Sequence, residues 1–537
     1  MAALFGRDRV CGVVAGATPR DMFRQLAAAL QANSTVELRL DFLPGAGQIR
    51  EFLALLSEFR RVVPRIAGAT LIATCRRKEA GGEFRGSPAA QMELLRLAAQ
   101  SGCAWLDLEI ETAAGLSPKE WSERALPAAW TASPQPASPD LPRARASAPA
   151  PAEARWLISH HNFRATPARL KPLLAQMQRL RADAYKIATQ VRSLREAIRV
   201  CQLARRRQDV IAIPMGDIGL PARILALRAG SALAYARIET STAPGQVSLA
   251  DMKAMYRADT LDAKTQVFGV IGDPIGHSLS PAMQNAALQA RKFNGVFLPF
   301  RVADLRDFFS AIEPLGIRGF GVTLPHKARI LRYLDDCDRL AAEIGAVNTV
   351  LVRGAGEFYG YNTDYIGVLR AIQKRMNLRG TRVLLFGAGG AARAAAFALA
   401  SAGAGVFVCA RREARARELA RAVRGETIPR RALRGARFDA IVNATPVGMY
   451  PHPDASPLEP EELNCRVVFD LIYRPGNTRL LQLAAQRGIK TISGLEMFVA
   501  QGAAQFEIFT GMRPPVAAMR GAVEAVLQRE EKERGKQ

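Results

Sequence analysis

Lysine is scarce in this chain, although the chain is strongly basic. Only 12 of its 74 basic residues are Lys, and the others are Arg. Arg does not lose its proton in proteins, whereas Lys can become a nucleophile or a proton carrier. Lys186 ends an apolar, strand-like run and Lys327 follows another, so both are candidates for such chemistry. The alternative is that each is an ordinary surface lysine.

Other absences narrow the class of protein. The seven Cys residues are scattered singly and show no metal-ligand spacing, which predicts free thiols and no metal site. No apolar run reaches the length of a membrane span, and residues 1–9 lack the apolar core of a signal peptide. We therefore expect a cytoplasmic protein with no membrane partner.

The net charge of +25 leaves two interpretations open. A charge of this size is typical of proteins that bind nucleic acid. However, the Arg residues are spread along the whole chain, with no aromatic-interleaved basic stripe, zinc finger or recognition helix. An Arg-biased composition, whose field attracts small anions, is the favoured interpretation. We expect small-molecule substrates and no nucleic-acid partner.

The first half of the chain has the pattern of a (β/α)₈ barrel. Period-two alternation places Glu37, Arg39 and Asp41 on one strand face, and Asp107 and Glu109 repeat the pattern. Charges that face a barrel interior are costly unless they pair or bind a ligand. Helical patterns separate eight strand-like runs, which is the repeat of this barrel: residues 10–15, 35–41, 70–75, 104–109, 156–160, 184–188, 210–213 and 232–238.

Motifs in this half resemble type I 3-dehydroquinate dehydratase, a barrel family. They are segments 37–41 and 74–76, the pair Gly81-Gly82, segment 159–163, the strand of Lys186, Arg223 and segment 242–246. The resemblance implies that Lys186 forms a Schiff base with a substrate ketone and that His161 is the acid and base. It implies substrate contacts from Glu37, Arg39, Arg76, Arg223, Thr242 and Gln246.

Two positions in these motifs need comment. His160 precedes His161, and the residues alone do not choose between them; the family pattern Ser-x-His selects His161. The family's acidic residue before Gly-Gly is Ala80 here, with Glu79 one step earlier. Either the loop is shifted by one residue or the assisting carboxylate is absent.

The second half contains a dinucleotide-binding motif. A strand-like run at 382–386 leads into Gly387-Ala388-Gly389-Gly390-Ala391, and a helical run follows at 393–402. This is G-x-G-x-x-A in its strand–turn–helix context, where the backbone can approach a pyrophosphate. The next strand ends at Arg411 and Arg412, a position where an NAD enzyme has an acidic residue. Arg there suits the 2′-phosphate of NADP; the alternative is two solvated arginines at the start of a helix.

Seven motifs over nearly all of 266–525 resemble shikimate dehydrogenase. They are segments 272–281, 345–349, 360–364, 443–449, 470–475 and 494–502, and the turn at Lys327. The resemblance implies that Lys327 and Asp364 are the catalytic pair, unless they form only a surface ion pair. It implies substrate contacts from Ser278, Ser280, Thr323, Asn348, Tyr473 and Gln501. It implies NADP contacts from Gly387, Ala388, Gly389, Gly390, Ala391, Arg411, Arg412, Thr445 and Gly494. The chain departs from the family at Gly321, where an Asn is usual, and at Gln284.

The predicted architecture is α/β, with a TIM barrel followed by a two-lobed unit. The barrel domain is expected at 1–258, with a flexible Pro/Ala-rich loop at about 131–154. An α/β substrate-binding lobe is expected at 265–375 and 490–530. A Rossmann lobe that binds NADP is expected at 376–489.

The two resemblances describe consecutive reactions. Dehydration of 3-dehydroquinate gives 3-dehydroshikimate, which NADPH reduces to shikimate, so the sequence predicts a bifunctional enzyme of the shikimate pathway. One alternative is an NAD-dependent quinate/shikimate dehydrogenase, against which Arg411 and Arg412 argue. Another is a non-catalytic regulator that retains the folds. The regulator predicts losses among the four candidate catalytic residues, and all four are present: Lys186, His161, Lys327 and Asp364.

Overall fold

The computed structural model describes residues 4–117, 154–239, 241–354 and 356–534. The predicted Pro/Ala-rich loop at 131–154 lies outside the described residues, except for its last position. Contacts divide the chain into two compact units. Unit 1 contains residues 1–265 and 306–315, and unit 2 contains residues 266–305 and 316–537.

Unit 1 contains one eight-stranded parallel sheet, which confirms the predicted barrel architecture. The strand order is β7-β6-β5-β4-β3-β2-β1-β8, and Ala232 N donates to Val210 O between the sheet's two ends at 3.0 Å. The strands are β1 Val10–Val14, β2 Thr35–Arg39, β3 Thr70–Thr74, β4 Trp105–Glu109, β5 Arg155–Asn162, β6 Ala184–Gln190, β7 Val210–Met215 and β8 Ala234–Arg237.

Amphipathic helices cover this sheet. In α7 the buried residues Leu194, Ala197, Val200 and Cys201 fall on one face, and Ser193 caps the first turn by accepting from Glu196 N. The helices of this part are α1 Pro19–Ala32, α2 Gly45–Val62, α3 Pro64–Ala67, α4 Pro88–Gln100, α5 Ile110–Gly115, α6 Leu170–Gln178, α7 Leu194–Gln202 and α8 Leu220–Leu225. Short 3₁₀ or π turns lie at Leu40–Phe42, Lys78–Ala80, Asp251–Met255 and Ala258–Thr260.

The first sheet of unit 2 is mixed, in the order β10-β9-β11-β13-β14-β12. Strands β10, β9 and β11 are parallel, and β13 is antiparallel to both β11 and β14. The strands are β9 Gln266–Gly272, β10 Gly295–Arg301, β11 Ile317–Val322, β12 Asp336–Cys337, β13 Thr349–Arg353 and β14 Glu357–Tyr361. The helices along this stretch are α9 Ser280–Ala290, α10 Leu305–Leu315, α11 Arg339–Ile344 and α12 Asp364–Gln373, with a 3₁₀ turn at Arg329–Tyr333.

The second sheet of unit 2 is fully parallel, in the order β17-β16-β15-β18-β19-β20. The chain runs outward from β15 in one direction and from β18 in the other, which is the doubly wound arrangement predicted for the Rossmann lobe. The strands are β15 Arg382–Phe386, β16 Gly405–Cys409, β17 Glu426–Thr427, β18 Ala440–Asn443, β19 Val467–Asp470 and β20 Lys490–Ile492. The helices are α13 Gly390–Ser401, α14 Glu413–Ala422, α15 Arg479–Gln486, α16 Gly494–Thr510 and α17 Val516–Arg534, with 3₁₀ turns at Arg430–Ala432 and Pro460–Glu462.

Two general features bear on the predictions. All seven cysteines are unpaired. Within the part of the chain that the structure describes, no helix combines the length and the apolar character that crossing a bilayer requires.

Candidate active sites

Lys186 lies inside the barrel of unit 1, with only 2% of its side chain exposed. It sits on β6 beside Ser159 of β5 in the parallel register. Its Nζ donates to Glu37 Oε1 at 3.1 Å and forms an ion pair with Asp107. Ser159 Oγ donates to Asp107 Oδ1 at 2.6 Å. The buried amine therefore has two carboxylates within reach that can take its proton.

The charges of β2 are paired within the barrel. Glu37 Oε1 also accepts from Thr74 Oγ1 at 2.8 Å. Arg39 donates to both carboxylate oxygens of Asp41, at 2.9 and 2.7 Å. Arg39 was predicted to hold substrate, and the structure places it on the cavity wall with this bidentate bond to Asp41.

Two arginines on the wall of the barrel cavity, Arg76 and Arg223, have spare donors. Both are buried. Arg76 lies 3.5 Å from Asp107, and its Nε and one terminal nitrogen have no hydrogen-bond partner among the described residues. Arg223 donates to Pro244 O at 2.9 Å, and its Nε lacks a partner within the same residues. Burial lowers the pKa of Arg223 to about 10, which leaves the guanidinium charged at neutral pH. Such a pair of buried cations fits a carboxylate ligand.

The alternation of β5 separates the two histidines. Ser159 points inward to Asp107, so His161 points inward as well and lines the cavity. His160 points to the other side, and its Nδ1 lies 3.5 Å from Glu111 Oε1. Burial, followed by the nearby charges of Arg76 and Lys186, lowers the pKa of His161 well below its ordinary value. His161 is therefore a neutral imidazole at pH 7, able to accept a proton.

Glu79 does not supply the carboxylate that Ala80 lacks. Its side chain is 70% exposed, and its nearest cation is Arg77 at 3.9 Å. The following glycines have a steric reason to lack a side chain: a Cβ at Gly82 would lie 2.1 Å from Arg76 O, and one at Gly81 would lie 2.3 Å from the Phe163 ring. This turn therefore packs closely against the backbone of Arg76.

One cavity brings all the predicted barrel residues together. In the loop after β8, Thr242 N donates to Gln246 Oε1 at 2.9 Å. Among the wall or contact residues that the sequence did not assign to the site are Asp107, Phe163 and Tyr235. The alternation of β4 could have identified Asp107, because it matches that of β2. The predicted residues on the cavity wall are Glu37, Arg39, Arg76, His161, Lys186, Arg223, Thr242 and Gln246.

The candidate pair in unit 2 is Lys327 and Asp364. Lys327 Nζ donates to Asp364 Oδ2 at 2.5 Å. The other oxygen, Asp364 Oδ1, accepts from Asn348 Nδ2 at 2.8 Å. Asp364 is the first residue of α12, where the helix dipole favours a negative charge. The carboxylate is therefore fixed on both sides, and it in turn fixes the lysine.

Asn348 is itself held by its neighbours. Its Oδ1 accepts from Thr363 N at 2.7 Å and from Thr349 Oγ1 at 2.9 Å. Gln505 Nε2 donates to Asn348 O at 3.1 Å and to Thr349 Oγ1 at 3.0 Å. Gln505 was not predicted. It fills the space next to Gly321, where an added Cβ would lie 3.3 Å from Gln505 Nε2.

A cavity of about 450 Å³ opens beside the lysine. Its polar wall is made mostly of neutral donors and acceptors, and Tyr473 is packed against the Phe498 ring at 4.5 Å. The cavity brings together every predicted substrate residue of this half with the catalytic pair: Ser278, Ser280, Thr323, Asn348, Tyr473, Gln501, Lys327 and Asp364.

A second cavity of about 1240 Å³ adjoins the first, and Lys327, Thr323 and Tyr473 line both. It lies at the carboxyl ends of β15 and β18, where the strand order reverses and dinucleotides bind in this type of sheet. Its wall includes the predicted residues Ala388, Gly389, Gly390, Ala391 and Thr445. Gly387 makes the preceding turn with φ +112°, and a Cβ there would lie 2.9 Å from Ala444 O.

The cations of this cavity differ from the predicted ones. Arg411 and Arg412 are exposed at the start of α14, and the arginines on the wall are Arg393, Arg415 and Arg474. The exposed glycines at the start of α13, together with these cations, fit a dinucleotide phosphate. Gly494 lines the smaller cavity. A Cβ added at this position would lie 2.4 Å from Leu471 O, which explains why the residue has no side chain.

Known families match both halves of the chain. Residues 10–263 match the type I 3-dehydroquinase family. Residues 270–350 match the shikimate dehydrogenase substrate-binding domain, and residues 494–524 match the shikimate 5′-dehydrogenase C-terminal domain.

Individual relatives agree with these matches. The chain is 32% identical over 504 residues to the chloroplastic bifunctional 3-dehydroquinate dehydratase/shikimate dehydrogenase of Arabidopsis thaliana, covering 89% of this chain and 78% of that protein. Its second half is 43% identical to the shikimate dehydrogenase (NADP(+)) of Methanosarcina mazei, over 49% of this chain and 99% of that protein. The corresponding protein of Moorella thermoacetica is 44% identical, over 48% of this chain and 92% of that protein.

Proposed function

This chain belongs to the family of bifunctional 3-dehydroquinate dehydratase/shikimate dehydrogenases, and we propose that its two reactions occur at the Lys186 cavity and the Lys327 cavity. It dehydrates 3-dehydroquinate to 3-dehydroshikimate and reduces this product to shikimate with NADPH. The domain limits we propose are 1–258 for the barrel, 265–375 with 490–530 for the substrate lobe, and 376–489 for the Rossmann lobe.

Dehydration begins with the amine of Lys186. Asp107 or Glu37 accepts the ammonium proton, and the free amine attacks the substrate ketone. Loss of water from the carbinolamine gives an iminium ion, which withdraws electrons and acidifies the neighbouring carbon. Removal of that proton and departure of the hydroxyl as water forms the ring double bond. Hydrolysis of the iminium releases the ketone product and restores Lys186.

His161 is the proton carrier in this sequence. It is neutral because burial and the nearby cations lower its pKa, so it can take the proton from the substrate carbon. The imidazolium that forms can protonate the leaving hydroxyl. Arg76 and Arg223 supply the unpaired donors that a substrate carboxylate and its hydroxyls would satisfy.

Reduction depends on the proton of Lys327. The ketone oxygen gains a proton as it becomes a hydroxyl, and Lys327 Nζ is the group placed to give it. Asp364 keeps the ammonium oriented through the 2.5 Å hydrogen bond. Ser278 and Ser280 hold the substrate carboxylate through neutral hydroxyls, which bind it without forming a very tight ion pair.

The larger cavity would hold the cofactor. NADPH, when bound, supplies the hydride. The amides at the start of α13 would hold its pyrophosphate, and Arg393 and Arg415 would hold its other phosphate charge. We retain Arg411 and Arg412 as proposed contacts for the 2′-phosphate, because they follow β16, where this phosphate binds in such folds.

Small molecules are the proposed partners, with neither nucleic acid nor membrane among them, and the proposed location is the cytoplasm. The seven unpaired cysteines support a reducing compartment. A salt-sensitive shift of DNA by the purified chain at physiological ionic strength would contradict the first part of this proposal.

One observation carries the two-site assignment: each cavity collects every substrate-binding residue predicted for its half around a single lysine. A coupled assay tests the function. When the purified chain receives 3-dehydroquinate and NADPH, the absorbance of NADPH should fall. Supply of 3-dehydroquinate with NADH in place of NADPH should give a much slower fall. Absence of any fall with NADPH, despite a fall with 3-dehydroshikimate, would contradict the dehydratase half.

A further inference from the structure

The cavity of Lys186 contains a tyrosine for which the mechanism above has no use. Tyr235 lies on β8, beside Cys11 of β1 in the parallel register. It is buried, at 5% exposure, and lines the cavity. The Nζ of Lys186 lies 4.6 Å from the centre of its ring. The phenol therefore stands next to the nitrogen that forms the covalent bond.

The hydroxyl of Tyr235 has no hydrogen-bond partner among the described residues. Buried tyrosine hydroxyls usually find one, because an unpaired buried polar group is destabilising. Tyr185, on β6 of the same sheet, shows the usual arrangement, since its hydroxyl donates to Ala182 O at 3.1 Å. The two residues are 5% exposed each, yet only the hydroxyl of Tyr185 has a partner within the described residues.

Two carboxylates whose charges act on the phenol, Glu37 and Asp107, are both ion-paired with Lys186. Glu37 accepts from Thr74 and from Lys186. Asp107 accepts from Ser159 and pairs with Lys186. Burial, followed by the charges of Glu37 and Cys11, raises the pKa of Tyr235 well above its ordinary value, so the phenol keeps its proton and remains a donor. An oxygen atom of a ligand in the cavity can therefore serve as the acceptor for this hydroxyl.

We propose that the Tyr235 hydroxyl donates a hydrogen bond to an oxygen atom of the hydroxylated cyclic carboxylate bound at Lys186, and so helps to select this substrate. The inference rests on the proposed dehydratase function and adds a binding residue to it. The ring face contacts the lysine nitrogen, and only the hydroxyl is assigned to the substrate.

The variant Tyr235→Phe tests this directly, because it keeps the ring and removes only the hydroxyl. We expect the KM for 3-dehydroquinate to rise about tenfold, with kcat changed by less than about threefold, since one hydrogen bond to bound substrate is lost. The midpoint of thermal unfolding without ligand should stay the same or rise, because an unpaired buried group is removed. The rise of that midpoint on adding 3-dehydroshikimate should become smaller.

Tyr185→Phe is the matched control. It removes a hydroxyl that has a partner, so it should lower the midpoint of unfolding and leave the KM for 3-dehydroquinate unchanged. A hydroxyl with a purely structural role at Tyr235 would give this same pattern in Tyr235→Phe and would overturn the proposal.

A trapping experiment separates this inference from the function it rests on. Treatment with borohydride in the presence of 3-dehydroshikimate should reduce the iminium and leave the ligand attached to Lys186, in both the unaltered chain and Tyr235→Phe. If both are trapped and the KM is unchanged in the variant, the hydrogen bond is refuted while the dehydratase assignment stands. If the unaltered chain is neither trapped nor active on 3-dehydroquinate, the assignment of the cavity fails, and the hydrogen bond fails with it.

Discussion

The two lysine sites differ in the exposure of the ammonium group and in the number of its carboxylate partners. Lys186 is 2% exposed and lies between Glu37 and Asp107. Lys327 is 21% exposed and has one carboxylate partner, Asp364. Carboxylates favour the ammonium form of a neighbouring lysine in both sites. Lys186 must pass its proton to Glu37 or Asp107 before it can attack a ketone, whereas Lys327 keeps its proton until the ketone arrives and Asp364 orients it.

The sites also differ in how they can hold an anionic substrate. The barrel presents the buried guanidiniums of Arg76 and Arg223, whose spare donors await an acceptor. The cleft of unit 2 presents the hydroxyls of Ser278 and Ser280 and the amides of Asn348 and Gln501. Charged donors bind a carboxylate more strongly than neutral ones do. The comparison indicates tighter binding in the barrel, where we propose that the substrate is covalently bound during the reaction.

Removal of the barrel lysine should give the largest effect. Lys186→Ala should lower the rate of dehydration by more than about 10³-fold, because the covalent pathway is lost. Formation of 3-dehydroshikimate, followed by its absorbance, measures this rate. Reduction of added 3-dehydroshikimate should continue at the rate of the unaltered chain. Equal loss of both activities would show that the two sites are not separate.

Removal of the lysine in unit 2 should have a smaller effect. Lys327→Ala should lower the kcat of reduction by about 10²–10³-fold, the usual contribution of a positioned proton donor. Oxidation of NADPH with 3-dehydroshikimate as substrate measures it. Dehydration should be unchanged. A reduction rate within threefold of the unaltered chain would mean that the Lys327–Asp364 pair is only an ion pair.

Removal of an arginine from the wall of the cofactor cavity should have an effect of intermediate size. Arg415→Ala should raise the KM for NADPH about tenfold and leave the KM for NADH nearly unchanged, because a charge-assisted contact with phosphate is lost. Arg421→Ala, an exposed arginine later on the same helix, is the control and should change neither constant. If Arg411→Ala weakens NADPH binding and Arg415→Ala does not, the prediction from the sequence is correct and the one from the cavity wall is wrong.

The smallest expected change concerns pH. Because the pKa of His161 is lowered, the imidazole stays neutral as pH falls through about 6.5, the ordinary value for histidine. The kcat/KM of dehydration should therefore change less than about twofold between pH 7.5 and 6, and it should fall at lower pH as His161 becomes protonated. A pH–rate profile measures this. A descending limb centred near 6.5 would contradict the buried, neutral state of His161.

The same shift affects stability. The unfolded chain binds a proton at this histidine at a higher pH than the folded chain does. Folding stability should therefore decrease as pH falls below about 6.5, the unfolded value. Unfolding by urea at pH 7 and pH 5.5, for the unaltered chain and His161→Gln, would isolate the contribution of this residue.

The sequence was sufficient for the architecture and for most of the two cavity walls. Side chains two residues apart on a strand lie on the same face, so the local sequence shows that Glu37 and Arg39 point to the same side of β2. The same rule also distinguishes His161 from His160 once Ser159 is known to face Asp107. Motifs of fixed spacing, such as the turn that begins at Gly387, likewise locate the cofactor cavity from residues that are close in sequence.

The remaining features depend on contacts between distant segments. Arg39 could be assigned to the substrate from its motif, but its bidentate bond to Asp41 appears only in the folded barrel. Tyr235 of β8 reaches Lys186 of β6 only because the sheet closes between β7 and β8. Arg415 is one of several arginines on α14, and no local pattern shows which of them faces the cavity.

Trapping with borohydride tests the covalent role of Lys186 most directly. The chain is incubated with 3-dehydroquinate, reduced with borohydride, digested and examined by mass spectrometry, with Lys186→Arg as the control. We predict that the peptide containing Lys186 gains the mass of the reduced ligand, that the control peptide does not, and that dehydratase activity is lost in proportion. An unmodified Lys186 peptide from chain that turns over at full rate would contradict the account.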